Sequence, residues 1–266
     1  MHTKNRCPSF TNLPTALVLA AICGGLPLHQ SFAQTPPQPA APAVSASPKP
    51  TPIPRTPVDA ITPAMKDQQR HADFLFRKTE GEIGLLFLGD SITDFWPRRG
   101  ESSWLKLAPY KPANFGISGD RTEHLLWRIS NGELDGLNPK VTVLMIGTNN
   151  VGLPTNDTVE WGAAGVKKVL EAIREKLPQT KILLLGVMPR GATADDPQRQ
   201  KNAALNKIIA GLDDGKQTRY LDISNGFLDA NGNLPKETIP DGVHPNAHGY
   251  DIWYDAMHPL LEELMR

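Results

Sequence analysis

The chain has 266 residues and a mass of 29.1 kDa, and its 28 Lys and Arg residues balance its 28 Asp and Glu residues. This length suffices for one large domain or two small ones, at about 100–200 residues per domain. A formal charge of zero and the lack of an apolar run of roughly 20 residues argue against a basic nucleic-acid-binding protein and against a polytopic membrane protein.

Residues 1–33 have the pattern of a secretory signal sequence. A basic start with Lys4 and Arg6 precedes an apolar stretch at 15–26, and Ala33 ends a small-residue cleavage site. Both cysteines of the chain lie inside this segment, so the cleaved protein would contain no cysteine and no disulfide. The alternative is a buried N-terminal helix. The pattern predicts a secreted or periplasmic protein.

A Pro-rich segment follows at 34–60. Nine of the 24 residues from 34 to 57 are Pro, and most of the others are Ala, Ser and Thr. Such a composition cannot bury a core and favours extended polyproline II structure. We therefore expect 34–60 to be a linker and 61–266 to be the folded domain.

Within 61–266 the apolar pattern alternates between strands and helices. Several strand candidates are continuous apolar runs, which is typical of strands covered on both faces. The strands are predicted at 83–88, 113–115, 141–146, 181–187 and 220–223, and the helices at 63–79, 121–132, 157–177, 197–213 and 246–265. This alternation predicts an α/β fold with a parallel sheet in a three-layer α/β/α sandwich. Ligands bind such sheets at the carboxyl ends of the strands.

The first two strands are followed by glycine-containing motifs. Gly89-Asp90-Ser91 comes after the first strand, where Gly89 permits a tight turn and the Ser91 hydroxyl could act as a nucleophile beside a base. On this motif alone, Ser91 could instead be a helix-capping serine, which is a common role. After the second strand, Gly116 could offer its backbone N–H to an oxyanion, or it could simply form a turn before the next helix.

Two further segments carry polar residues suited to the same chemistry. Asn149 follows the third strand, and its carboxamide could donate to a developing negative charge or close an Asx turn. Asp241 precedes His244 by three residues, so its carboxylate could hold Nδ1–H and leave Nε2 free to accept a proton. A surface loop with a helix cap is the alternative there. Together the four motifs supply the parts that acyl transfer needs.

In this order, the four motifs resemble the sequence blocks of the SGNH (GDSL) hydrolases. The resemblance covers nearly all of 63–266, and the stretches 114–122, 147–150 and 185–191 look like the catalytic subunits of platelet-activating-factor acetylhydrolase Ib. The resemblance implies a flavodoxin-like, five-stranded parallel sheet and a serine-hydrolase activity that needs no cofactor. Those subunits are cytosolic, whereas this chain starts with a signal pattern, so its substrate need not be a phospholipid.

The resemblance also implies a role for each motif. Ser91 would attack an ester carbonyl, with His244 as general base and then general acid, and Asp241 would orient His244. The oxyanion hole would consist of the backbone N–H groups of Ser91 and Gly116 and the side chain of Asn149.

Other residues are candidates for substrate contacts. Ile92, Thr148 and Val243 each neighbour a predicted catalytic residue and are expected to narrow the acyl pocket to a short acid such as acetate. Trp96 is a candidate for the alcohol side, although a Trp is commonly core. No metal site is expected, because His248 has no convincing partner ligands.

The expected function is therefore a secreted serine esterase that hydrolyses short-chain esters, with a small molecule or a carbohydrate ester as substrate. An alternative enzyme is a lysophospholipase or thioesterase, which would have a wider acyl channel. An alternative of another class is a carbohydrate-binding module that keeps the fold without catalysis. No nucleic-acid partner is expected, and the oligomeric state stays open.

Overall fold

The computed structural model describes residues 54–266, so the predicted signal sequence and most of the predicted linker lie outside the described residues. The strands of this part are Leu85–Gly89 (β1), Pro112–Gly116 (β2), Val141–Met145 (β3), Lys181–Leu185 (β4) and Thr218–Leu221 (β5). They form one parallel sheet in the order β2-β1-β3-β4-β5. Gly89 pairs with Gly116 on one side and Met145 on the other, so the carboxyl ends of three strands lie level.

Helices connect the strands. The longer helices are Gln68–Arg77 (α1), Thr122–Ser130 (α5), Val159–Lys176 (α7), Pro197–Ile209 (α8) and Ala247–Leu264 (α9). Short helices are Ser91–Asp94 (α2), Trp96–Arg99 (α3), Glu101–Leu105 (α4) and Thr148–Val151 (α6). Within 54–266, no helix combines the length and the apolar composition needed to cross a lipid bilayer.

The sheet is buried on both faces. Successive side chains of a strand point to opposite faces, so Leu86 and Leu88 pack with α1, α5, α7 and α8, while Leu85 and Phe87 pack with α3 and α9. This double burial is the reason that the strands are continuous apolar runs in the sequence. The predicted α/β fold with a parallel sheet between two helical layers is confirmed.

The short helices and some helix ends differ from the predicted elements. A helix of four or five residues spans little more than one turn, so its apolar spacing cannot reveal it. This is why α2, α3, α4 and α6 were not predicted. Helix α1 begins at Gln68 rather than 63, because the Asp67 side chain accepts the Arg70 N–H at 3.0 Å and caps the helix there.

The last residues of the predicted linker pack against the folded domain. The Arg55 side chain forms ion pairs with Asp157 and Glu123, and Ala60 is completely buried. The Thr122 hydroxyl donates to the Ala60 carbonyl at 2.7 Å. The predicted boundary at residue 60 therefore lies too far along the chain, and residues 55–60 belong with the domain.

Candidate active site

Ser91 lies at the start of helix α2, directly after β1. A side chain at Gly89 would bring its Cβ within 2.2 Å of Thr93 Oγ1 and 2.6 Å of the Met145 carbonyl, so only glycine fits this turn. Asp90 caps the helix, because its Oδ1 accepts the Ile92 N–H at 3.0 Å. This geometry leaves Ser91 as the first residue of the helix, where its backbone N–H has no intrahelical partner.

The predicted triad residues lie in one hydrogen-bonded series. Ser91 Oγ is 2.9 Å from His244 Nε2, and His244 Nδ1 is 2.7 Å from Asp241 Oδ2. An ionised Asp241 only accepts hydrogen bonds, which requires the proton on Nδ1 and leaves the Nε2 lone pair for the serine hydroxyl. The series is therefore arranged for proton transfer from Ser91 to His244.

The local turn keeps the Asp241 carboxylate ionised. Partial burial raises its pKa, but hydrogen bonds outweigh this effect, above all those from the backbone N–H and the ring of His244, with a further one from the backbone N–H of Val243. The resulting pKa of Asp241 is about 2. The carboxylate thus stays charged through the neutral and mildly acidic range and can stabilise the imidazolium that forms on His244.

Asn149 faces the same region from helix α6. Its Nδ2 donates to the Asp120 carbonyl at 2.9 Å and lies 3.4 Å from Asp90 Oδ2. The first of these bonds orients the carboxamide, and the second is at the long limit of a hydrogen bond. One Nδ2 hydrogen is therefore available to a negative charge beside Ser91.

The prediction that Gly116 donates to an oxyanion is wrong. The Gly116 N–H already donates to Asn114 Oδ1 at 2.9 Å. Glycine is required there for a different reason, since a Cβ would lie 2.4 Å from the Asp94 backbone N. Gly116 therefore allows helix α2 to approach β2 closely, and its N–H is occupied.

Gly119, three residues later, is the better candidate for that donor. It has a positive φ of 76° in a turn that the Asp120 N–H closes by donating to the Ile117 carbonyl at 3.0 Å. No hydrogen bond within 54–266 uses the Gly119 N–H. The carbonyl of Asp120, the last residue of this turn, accepts from Asn149 Nδ2, so a hydrogen bond links the two segments that carry the candidate donors.

Replacing Asn149 with alanine is expected to lower kcat by about 10²–10³-fold, because such a donor acts mainly on the transition-state charge. The KM is expected to change little. Steady-state kinetics with p-nitrophenyl acetate would measure both constants, with Asn225→Ala as a control at an exposed position. A rise in KM without a fall in kcat would contradict the oxyanion role.

Asp90 is a buried carboxyl next to Ser91, and it is 1% exposed. Burial raises its pKa to about 7, the nearby Asp120 adds to this effect, and the hydrogen bond from the Ile92 N–H opposes it. The unfolded chain would ionise this carboxyl near pH 4. The contribution of Asp90 to folding stability therefore falls as the pH rises from about 4 to about 7, because the folded state holds a proton that the unfolded state has released.

Asp90→Asn is expected to remove this pH dependence. Relative to wild type, the variant should gain stability between pH 4 and pH 7, by at most about 4 kcal/mol for a difference of about three between the two pKa values. An asparagine oxygen can still accept the Ile92 N–H, so the helix cap is kept. Urea unfolding at pH 4.5 and pH 8 measures the difference, and an equal difference at both pH values would refute the prediction.

Phe95 contacts the His244 ring and was not predicted. Its ring centroid lies 5.3 Å from that of His244, and the Arg99 guanidinium lies 4.2 Å from the Phe95 ring. Phe95 follows Ser91 by four residues, and its N–H donates to the Ser91 carbonyl at 3.0 Å. That spacing was the available sequence signal, because residues four apart share one side of a helix.

The predicted substrate residues differ in exposure. Val243 is half-buried and borders a depression of about 210 Å³ that also includes Asp241 and Arg190. Ile92 and Thr148 are only 2% and 3% exposed. A larger cleft of about 370 Å³ between α8 and the residues after β5 contains no triad residue.

The prediction that Trp96 lines the substrate pocket is wrong. Trp96 has no exposed surface, and its ring packs 4.3 Å from that of Trp253. Its Nε1 donates to Ser103 Oγ at 3.1 Å, which satisfies its polar atom inside the core. In residues 54–266 no group of three or more His, Cys, Asp or Glu side chains is arranged to hold a metal ion.

Comparisons with known proteins agree with this geometry. Residues 87–252 match the model of the GDSL-like lipase/acylhydrolase family. The platelet-activating factor acetylhydrolase IB subunit alpha1 of Bos taurus is 32% identical over 212 residues, which are 79% of this chain and 88% of that protein. The resemblance inferred from the motifs is confirmed.

Two solved structures share the fold. A GDSL-like lipase from Bacteroides thetaiotaomicron has a TM-score of 0.55 and 21% identity, over 73% of this chain and 97% of that one. A catalytic mutant of an acetylxylan esterase from Geobacillus stearothermophilus has a TM-score of 0.53 and 19% identity, over 68% and 93%. Because the family model spans more than half of the sequence, the chain belongs to the GDSL-like lipase/acylhydrolase family, the SGNH hydrolases.

Proposed function

We propose that this protein is a secreted or periplasmic serine esterase that removes short, acetyl-type acyl groups from carbohydrate or other small esters. The hydrogen-bonded series Asp241, His244 and Ser91, with distances of 2.7 and 2.9 Å, carries the proposal. It supplies a nucleophile, a base within reach of the nucleophile's proton, and a carboxylate that orients the base.

In the first half of the reaction, Ser91 Oγ attacks the ester carbonyl while its proton passes to His244 Nε2. The carbonyl oxygen becomes an oxyanion, which the Ser91 N–H, the Asn149 side chain and the Gly119 N–H stabilise. As the intermediate collapses, His244 gives its proton to the leaving alcohol. The products of this half are the free alcohol and an acyl ester on Ser91.

In the second half, water replaces the alcohol. His244 Nε2 takes a proton from the water as it attacks the acyl carbonyl, and the same donors hold the second oxyanion. Collapse returns the proton to Ser91 Oγ and releases the acid. Every proton in the cycle moves between Ser91, His244 and the substrates, so the proposed reaction needs no cofactor.

Two observations support short acyl groups and a carbohydrate substrate. The relative named above is called an acetylhydrolase, and one structural neighbour an acetylxylan esterase. The pattern of residues 1–33, which lie outside the described residues, supports export to a compartment where polysaccharide esters occur.

A substrate panel tests the proposal. We expect kcat/KM for p-nitrophenyl acetate to exceed that for the octanoate by roughly tenfold or more, since pocket fit separates acyl chains of different length. Release of acetate from acetylated xylan is expected to exceed release from an acetylated phospholipid. Octanoate hydrolysis as fast as acetate hydrolysis would favour the lysophospholipase or thioesterase alternative, and binding of xylan without any hydrolysis would favour the binding module.

A further inference from the structure

The segment 55–64, here called the strap, contacts the domain near the proposed oxyanion donors. Arg55 Nε and Nη2 donate to the two oxygens of Asp157 at 2.7 and 3.0 Å, and Nη1 lies 2.9 Å from Glu123 Oε1. The side chains of Asp157 and Glu123 are 0% and 2% exposed. One guanidinium therefore pairs with two buried carboxylates from separate parts of the chain.

Those carboxylates in turn hold Asn150, the neighbour of Asn149. Asn150 Nδ2 donates to Glu123 Oε2 at 3.1 Å and lies 3.4 Å from Asp157 Oδ2, while its Oδ1 accepts the Thr122 N–H at 3.0 Å. Asn150 has no exposed surface. Because Asn149 and Asn150 are consecutive residues of the four-residue helix α6, the position of one constrains the other.

The strap is also attached at points that do not involve Arg55. The Thr122 hydroxyl donates to the Ala60 carbonyl at 2.7 Å, and the Ala64 N–H donates to the Glu123 carbonyl at 3.0 Å. A Cβ at Gly165 of α7 would lie 2.9 Å from the Ala60 carbonyl. Loss of the Arg55 side chain alone therefore leaves the strap anchored and changes chiefly the charges around Asn150.

The two carboxylates depend on Arg55 to different degrees. Glu123 has a second cation, since Arg121 Nε lies 2.5 Å from its Oε1. For Asp157, Arg55 is the one salt-bridge partner within residues 54–266. A buried carboxylate that loses its partner is strongly disfavoured, so the Asp157 side chain would turn toward water. This movement changes the acceptors that hold Asn150.

We infer that Arg55 is a positioning residue for the oxyanion hole: through Asp157, Glu123 and Asn150 it fixes helix α6 and hence the Asn149 carboxamide. The inference rests on the proposed esterase function. It gives the end of the Pro-rich segment a role in turnover, in addition to its place in the fold.

The test compares Arg55→Gln, Arg55→Lys and the control Arg219→Gln in the full chain. Arg219 also pairs with an acid, Glu263 at 2.9 Å, and within residues 54–266 its side chain forms no hydrogen bond or ion pair with a proposed site residue. For each folded variant, kcat and KM are measured with p-nitrophenyl acetate, together with the inhibition constant of phenylboronic acid. The boronate becomes tetrahedral on Ser91 and so reports transition-state geometry.

We expect Arg55→Gln to lower kcat about tenfold with KM within about twofold, and to weaken boronate binding by a similar factor. This loss is smaller than the loss of kcat on removing an oxyanion donor, because the Asn149 carboxamide is displaced and not deleted. Arg55→Lys should recover part of the loss, because lysine keeps the positive charge. The recovery should be incomplete, because an ammonium cannot form the forked contact with two acids. Arg219→Gln should behave as wild type. Arg55→Gln in an Asp157→Asn background should cost less than in wild type, because both act through one contact.

A lower melting temperature for Arg55→Gln with unchanged kcat and boronate affinity would overturn the inference. If Arg55→Gln does not fold, kcat is compared between wild type and the variants Arg55→Lys and Asp157→Asn. An unchanged kcat in both variants would also overturn the inference. A wild-type protein without esterase activity would instead refute the proposed function. Active wild type with unaffected Arg55 variants would refute the positioning role alone.

Discussion

Ser91→Ala is expected to abolish covalent labelling by a fluorophosphonate and to reduce esterase turnover by about 10⁶-fold, which leaves only the residual catalysis that the oxyanion hole and substrate binding provide. The hydroxyl is the atom that attacks, and its Oγ lies 2.9 Å from the nitrogen that takes its proton. Alanine is smaller and apolar, so the 5% exposed position tolerates it without a steric clash. Gel fluorescence after labelling and the hydrolysis of p-nitrophenyl acetate measure the two effects.

The control for this prediction is Ser224→Ala, at a hydroxyl that lies outside the triad. That variant should label and turn over substrate as wild type does. If well-folded wild type fails to label, or if Ser91→Ala still labels, the serine-hydrolase mechanism is refuted. Retained carbohydrate binding in an unlabelled wild type would then support a non-catalytic module.

His244→Ala is expected to lower kcat by about 10⁴–10⁶-fold, because no other group in the series can take the serine proton. Asp241→Asn should cost less, about 10⁴-fold, and leave measurable activity. An amide at 241 cannot hold the ring in the required tautomer, but the imidazole itself stays beside Ser91. Circular dichroism and thermal melting should show both variants folded, since His244 and Asp241 lie in a partly exposed loop.

Combining the variants makes a sharper test. When residues act as one unit, the effects of replacing them are not additive. The double variant Ser91→Ala with His244→Ala should therefore have the same kcat as Ser91→Ala alone. Additive losses would mean that His244 contributes by a route other than proton transfer to Ser91. An Asp241→Asn variant with wild-type kcat would remove Asp241 from the proposed mechanism.

Local sequence patterns were sufficient for the architecture. Strand runs such as Val141–Met145 are apolar at every position but one, and that pattern results from helices on both faces. The spacing of Asp241 and His244 also predicted their contact, because three residues close one turn of chain. These features depend on neighbours within a few residues, so they can be inferred without knowledge of the fold.

Hydrogen-bond donors illustrate where local patterns fail. Gly116 and Gly119 lie three residues apart and both precede a helix, and the sequence offers no way to choose between their N–H groups. The choice depends on Asn114, whose side chain accepts the Gly116 N–H, and on Asn149, which reaches the Asp120 carbonyl from helix α6. Availability of a donor is a property of the assembled loop.

What the sequence determined by itself was the order of strands and helices along the chain and the identity of the nucleophile, base and acid candidates, because these follow from short-range spacing and side-chain chemistry. Only the tertiary structure decided that Trp96 lies inside the core and that Arg55 pairs with Asp157, which is 102 residues away. The physical reason is that burial and ion pairing are set by contacts between distant segments, and the entropy of closing such long loops is compensated only when the whole domain packs.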